Sequence, residues 1–271
     1  MAIGISTACF YPEETEKALT RIGETGVRDV EIFFNAQCET REPLISQIRE
    51  IRRRYDLRVC AIHPYFTFAE KTLLFSRYRR RYDDGADLYA ALCETCHALD
   101  CNLLVLHGEK EPFELSAEEY IERFGTLAQM VRENGVCLTQ ENVVRFRSQS
   151  PAFLRRMAKE LGDLFRMTFD VKQAVRSGVD PLSLCSEFAD RIVHVHLSDH
   201  GEAGDCLPVG MGTFDFEALF CTLYKAGFHG TPVVELYRRC FVNPQELWFC
   251  REKAEKIHKK ALQNLARDVT I

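Results

Sequence analysis

The amino-acid sequence predicts an α/β fold, a single-domain (β/α)8 TIM barrel over residues 1–271. Three observations predict it. Short apolar runs rich in β-branched residues alternate with amphipathic helical patterns along the whole chain, which argues for parallel strands joined by crossover helices. The alternation repeats eight times in about 250 residues, the usual extent of such a barrel. The first strand-to-helix turn, Ile5-Ser6-Thr7-Ala8-Cys9-Phe10-Tyr11, lacks the glycine-rich loop of a doubly wound open sheet.

The first strand is expected over Ile3–Thr7, with its helix opening at Pro12, acidic in its first turn and closing at Gly26. The second strand is Val30–Phe34, followed by a helix from Pro43 to about Arg54 with Leu44, Ile45, Ile48 and Ile51 on one face. The third, Val59–His63, leads into an aromatic loop (Tyr65, Phe66, Phe68) and one long helix ending at Leu99. The fourth, Leu103–His107, precedes a helix that starts on a Ser116/Glu119 capping box and stops at Gly135. The fifth is Val136–Glu141, its helix opening with Pro151; the sixth is Met167–Asp170, followed by helix broken at Gly178 and Pro181. The seventh lies in Arg191–Phe216, where Ile192, Val193 and Val195 alternate with histidines before a loop punctuated by Pro208, Gly210 and Gly212. A helix over Phe216–Ala226, the eighth strand Val233–Tyr237 and a last helix from Pro244 to about Arg267 complete the chain.

Composition excludes several classes. Lysine and arginine number 35 against 40 aspartates and glutamates, a net charge of −5, so no global attraction to nucleic acid or anionic membrane is expected. No segment approaches the roughly 20 apolar residues of a membrane span, and no leader-like run opens the chain, so a cytoplasmic protein is expected. The 12 cysteines are scattered through apparent helices and strands and read as reduced, small apolar side chains. Arg77–Tyr82 interleaves basic and aromatic residues but reads as a docked helix, with Tyr78, Tyr82, Gly85 and Tyr89 on one face. Cys93-Glu94-Thr95-Cys96-His97 spells a haem-attachment motif, yet sits inside that same helix.

Chemistry is expected where strands end. Four successive strands end in Glu141, Asp170, His196 and Glu235, and three carboxylates with one imidazole make a mostly hard site for one divalent cation. Mn2+, Mg2+ and Co2+ suit it, and Zn2+ is compatible.

The segments Thr139-Gln140-Glu141-Asn142, Thr168-Phe169-Asp170-Val171-Lys172-Gln173, His194-Val195-His196-Leu197-Ser198-Asp199 and Val233-Val234-Glu235-Leu236, with Pro208–Phe216 between the last two, resemble the xylose-isomerase-like barrel superfamily of sugar phosphate isomerases and epimerases. The resemblance runs over essentially the whole chain. It implies a single-metal site at Glu141, Asp170, His196 and Glu235, with Mn2+ favoured, and makes Glu141 and Glu235 the acid/base pair. The implied partner is a small sugar or sugar derivative. Where the family often carries Asp-x-x-His, this sequence has Gln173, which holds a hydroxyl but shuttles no proton.

His63 and His107 are expected as substrate-hydroxyl contacts; in the related endonuclease IV the matching positions bind further zinc. Asn142 and Arg145 are further substrate-binding candidates, Arg145 as a clamp for a phosphate or carboxylate. Glu31, His194, Lys172 and His200 stay open, the first two as cavity groups or interior pairs, and Asp199 is expected to orient a loop. Trp248 and Phe249 offer either a pairing surface for a homo-oligomer or packing onto the barrel. The alternative activities are a multi-zinc abasic-site endonuclease and a keto-sugar or inosose dehydratase.

Overall fold

The computed structural model describes residues 2–64 and 67–268, so the expected loop aromatics Tyr65 and Phe66, and the Phe68 side chain, lie outside the described residues. Eight parallel strands close a barrel: β1 (Gly4–Ser6), β2 (Asp29–Phe34), β3 (Arg58–Pro64), β4 (Leu103–Leu106), β5 (Cys137–Glu141), β6 (Met167–Asp170), β7 (Ile192–Leu197) and, after a hairpin, β10 (Pro232–Val234), which pairs with both β7 and β1. Their apolar residues are almost completely buried, Ile5, Ile32, Ile62, Leu104, Phe169 and Val234 being 0% exposed. Closing the sheet leaves no free edge, and every strand end points the same way.

The helices α1 (Thr15–Glu24), α2 (Leu44–Tyr55), α3 (Thr67–Leu73), α4 (Arg80–Ala98), α5 (Ala117–Glu133), α6 (Pro151–Leu161), α7 (Val171–Arg176), α8 (Pro181–Phe188), α9 (Phe216–Lys225) and α10 (Gln245–Asp268) surround the barrel. The α5 start is the expected capping box: Ser116 Oγ accepts from the Glu119 amide and the Glu119 carboxylate accepts from the Ser116 amide. Pro151 opens α6.

The structure departs from the sequence reading in three places. The long helix before Leu99 is two helices, because Arg123 donates to the carbonyls of Leu74 and Ser76, while Ser76 Oγ accepts from the Tyr78 amide. Tyr78 therefore precedes α4 and is exposed, while Tyr82 and Tyr89 pack. The stretch after β7 is not loop throughout: β8 (Asp199–Gly201) and β9 (Gly204–Leu207) form an antiparallel hairpin. The expected eighth strand is shorter, ending at Val234.

All 12 cysteines are free thiols. Cys93 and Cys96 are buried within α4, where a haem could not reach them. Trp248 packs against Phe10, ring centroids 6.2 Å apart, while Phe249 is 68% exposed. No helix among the described residues is long and apolar enough to cross a membrane.

Candidate metal centre and active site

Strand register carries the four expected residues to one end of the barrel. Glu141 closes β5, Asp170 closes β6, His196 lies opposite Asp170 on β7, and Glu235 follows β10 by one residue. His196 Nδ1 lies 3.6 Å from Glu141 Oε1, 3.6 Å from Asp170 Oδ2 and 3.4 Å from Glu235 Oε2. All four side chains are buried or nearly so.

Each group is aimed by a neighbour. Glu31, inside β2, approaches His196 Nε2 and His194 Nε2 at 2.9 Å each. A carboxylate on Nε2 turns Nδ1 of His196 towards the three acids, as a carboxylate behind a metal-ligating histidine does. Asp170 Oδ1 accepts from the Gln173 amide at 2.9 Å and caps α7, which leaves Oδ2 for the centre. Asn142 holds both backbone groups of Asp170, donating to its carbonyl at 2.9 Å and accepting from its amide at 2.8 Å.

Electrostatics follow from this crowding. Burial pushes the Glu141 carboxyl up, but the imidazoles of His196 and His63 beside it outweigh that and hold the group well below the ordinary range. Burial disfavours charge on His196, yet Glu31 and Glu235 raise it well above a free imidazole. Burial keeps Asp170 raised against the pull of Lys172, and His107 is driven down to about 4 by burial and by neighbouring His63.

The donor set fits a divalent cation. Asp170 Oδ2, which faces Lys172 Nζ at 3.1 Å as an ion pair, and His196 Nδ1 are buried and make no hydrogen bond among the described residues. Bonds of about 2.1 Å put neighbouring donors about 3.0–3.4 Å apart in octahedral and tetrahedral shells, close to the 3.4–3.6 Å between His196 Nδ1 and each acid, although Glu235 belongs to none of the close trios found among the described residues. Glu141, Asp170 and His196 form one trio with ligand atoms within 4.8 Å of one another; His63, His107 and Glu141 form a second, and Glu31, His194 and His196 a third.

Beside the centre lies a cavity of about 410 Å³, lined by Glu141 and Glu235, by His63, His107, Lys172 and Gln173, and by apolar groups such as Phe33 and Leu236. That is within the range of small-molecule sites. Asp170 and His196 do not line it. A larger cavity, about 630 Å³, opens at the strand-start end around Arg58, Cys60 and Cys101. None of the carboxylate–imidazole trios found among the described residues lies there, and barrel chemistry sits at the strand-end face.

A model of the xylose isomerase-like TIM-barrel family matches residues 19–267. The chain belongs to that family. Among curated relatives, the rhizopine catabolism protein MocC of Rhizobium meliloti is 29% identical over 138 residues, 44% of this chain and 42% of MocC. This chain thus aligns with less than half of MocC. A D-tagatose 3-epimerase-like protein has a similar fold, with TM-score 0.79 at 20% identity, covering 99% of this chain and 100% of that one. A xylose isomerase-like barrel protein from Mycobacterium smegmatis, solved with magnesium, gives TM-score 0.73 at 14% identity over 96% of each chain. At these identities the likeness is one of fold.

Within the family frame, several expected substrate contacts are placed differently. Asn142 has its amide committed to the Asp170 backbone, so it holds β5 to β6 and does not line the cavity. Arg145 is exposed, with φ at 69° and its amide donating to Gln149, and it also does not line the cavity. Arg147 is locked to Glu109 at 2.5 Å. His63 and His107 do line the cavity, both turned to Glu141 Oε2, at 3.2 and 3.4 Å. Gln173 lines it too, with its side-chain oxygen accepting from Val144. The sequence reading left Glu31 and Lys172 open. The signals were a lone acid in the apolar run Val30-Glu31-Ile32-Phe33 and a lysine two residues after a strand-end aspartate.

Proposed function

We propose that this protein is a divalent-metal-dependent sugar or sugar phosphate isomerase or epimerase that works by carboxylate proton transfer through an enediolate. One observation carries the reading: of the four groups converging at the strand ends, only Glu141 and Glu235 face the cavity, while Asp170 and His196 sit behind them. The two glutamates come from β5 and from the end of β10, staves separated by β6 and β7, so they approach bound substrate from different sides.

Glu141, Asp170, His196 and Glu235 would hold the ion, Mn2+ being favoured and Mg2+, Co2+ and Zn2+ compatible. The chemistry a bound cation supplies there is Lewis acidity towards a carbonyl and its neighbouring hydroxyl, acidifying the carbon-bound proton between them. One glutamate takes that proton. Return by the other glutamate to the opposite face inverts the centre; delivery to the neighbouring carbon interconverts aldose and ketose. His63, His107 and Gln173 offer hydrogen bonds to the remaining hydroxyls. We place the protein in the cytoplasm, acting on a small sugar without nucleic-acid or membrane partners, with homo-oligomers compatible with the exposed Phe249.

The test is metal content and hydrogen exchange. Purified protein should carry about one divalent ion per chain, lost in His196→Ala, and should wash deuterium from solvent into a carbon position of a ketose substrate. Glu141→Gln and Glu235→Gln should lose exchange by at least about 10³-fold while remaining folded. Normal exchange in Glu235→Gln would end this assignment. The His63–His107–Glu141 trio supports a second reading, a multi-zinc nuclease: three zinc ions per chain with cleavage of an abasic duplex would establish it. Water loss from an inosose, with no exchange at carbon in the recovered substrate, would indicate the dehydratase instead.

A further inference from the structure

We infer that Lys172 is a substrate-contacting cation of this site, a second electrophile that receives the oxygen on which negative charge develops. The inference rests on the metal-dependent reading above. Lys172 is the second residue of α7 and only 3% exposed, so its ammonium is a buried charge placed by the backbone. Nζ donates to Glu235 Oε2 at 2.9 Å and lies 3.1 Å from Asp170 Oδ2. These are two of the oxygens that face His196 Nδ1. An ammonium has three protons; Glu235 takes one in a hydrogen bond and Asp170 faces the ammonium as an ion pair, so at least one remains for an oxygen brought into the cavity that Lys172 lines. The wall beside it is the Tyr237 ring, its centroid 4.8 Å from Nζ, which excludes water from that side without competing as a strong acceptor.

Charge balance points the same way. Four ionised carboxylates, Glu31 behind His196 included, around a neutral imidazole and a divalent cation leave two negative charges, and a further anionic oxygen on the substrate would be repelled by them. The fixed charge of Lys172 offsets part of that excess at the place where the oxyanion forms, with no reorganisation during reaction. Gln173, one residue on, supplies no proton and no charge, so Lys172 is the cationic side chain of the β6–α7 turn that reaches the cavity.

The experiment uses the Mn2+-loaded protein and glycolohydroxamate, a planar chelator whose two oxygens copy a cis-enediolate. Metal content is measured by elemental analysis and probe binding by calorimetry, for wild type and Lys172→Met. We expect the variant to keep one Mn2+ per chain and its far-UV spectrum, yet to bind the probe at least tenfold more weakly. Lys172→Arg should recover part of that affinity. Equal affinity in wild type and Lys172→Met would overturn the inference. Loss of Mn2+ from the variant would also overturn it, by assigning Lys172 to assembly of the metal centre. Wild type that takes up no metal would overturn the proposed function itself, and this inference with it. Should Lys172→Met not fold, Lys172→Gln, which keeps a polar tip beside Asp170 and Glu235, gives the same comparison.

Discussion

Glu31 decides which nitrogen of His196 meets the three acids. Its Oε2 is shared between two imidazoles, and its Oε1 is buried without a hydrogen-bond partner among the described residues. Glu31→Gln would weaken the acceptor and free the ring to turn, leaving all four proposed ligands in the sequence. Metal affinity should fall by about 10–100-fold, measured by titration against a competing chelator, with little change in the far-UV spectrum. His196 also couples the site to pH. Because its imidazole holds a proton more tightly than a free one in the metal-free protein, metal uptake must expel that proton. Affinity should therefore rise with pH, and calorimetry in buffers of different ionisation enthalpy should show proton release on binding.

Between residue and barrel, two segments are held by single carboxylates. Asp199 accepts from the amides of His200, Gly210, Gly212 and Phe214 at 2.7–3.0 Å, closing the turn that follows the β8–β9 hairpin. A Cβ on Gly212 would stand 2.3 Å from the His200 carbonyl oxygen, so only glycine passes there. Asp199→Ala should cost about 3 kcal/mol, seen as a lowered denaturation midpoint and faster amide exchange over 210–214. Glu70 ties α3 to the end of β4, accepting from Tyr89 at 2.9 Å and from the Gly108 amide at 2.7 Å, and burial raises its carboxyl to about 7. The native state then binds this proton more tightly than the unfolded chain, so the group's contribution is full below pH 4.5 and declines towards pH 7. Glu70→Gln should gain stability relative to wild type as pH rises from 5 to 8, by on the order of 3 kcal/mol at most, read from the two thermal midpoints at each pH.

On the scale of the whole molecule, the proposed metal binding and folding would be one equilibrium. The proposed ligands come from β5, β6, β7 and the end of β10 and span half the barrel, so cation at 100 times its dissociation constant should stabilise the fold by about 2.7 kcal/mol, and a chelator should reverse it. Differential scanning calorimetry with and without Mn2+ reads this directly. The same scale shows what the sequence makes legible. Strands and their polar ends are readable because apolar alternation and strand-end chemistry are local signals, as in Ile192–Leu197 and in Phe169-Asp170. The division of α3 from α4 is not, because it depends on Arg123 reaching across from α5. Nor are the hairpin after β7, drawn together by Asp199, and the placement of Asn142, whose partner lies 28 positions away.

Asp170 divides its two oxygens between a helix cap and the proposed metal centre, which makes the spacing from Asp170 to Gln173 a ruler. One residue inserted directly after Asp170 would turn everything downstream by about 100° around the α7 axis. Lys172 would leave the carboxylates and Gln173 the cavity wall, although no functional side chain had been replaced. Natural relatives and laboratory variants should thus tolerate length changes in the exposed turn between α7 and α8 far better than in this one, and a deletion scan across 170–180 would trace that boundary.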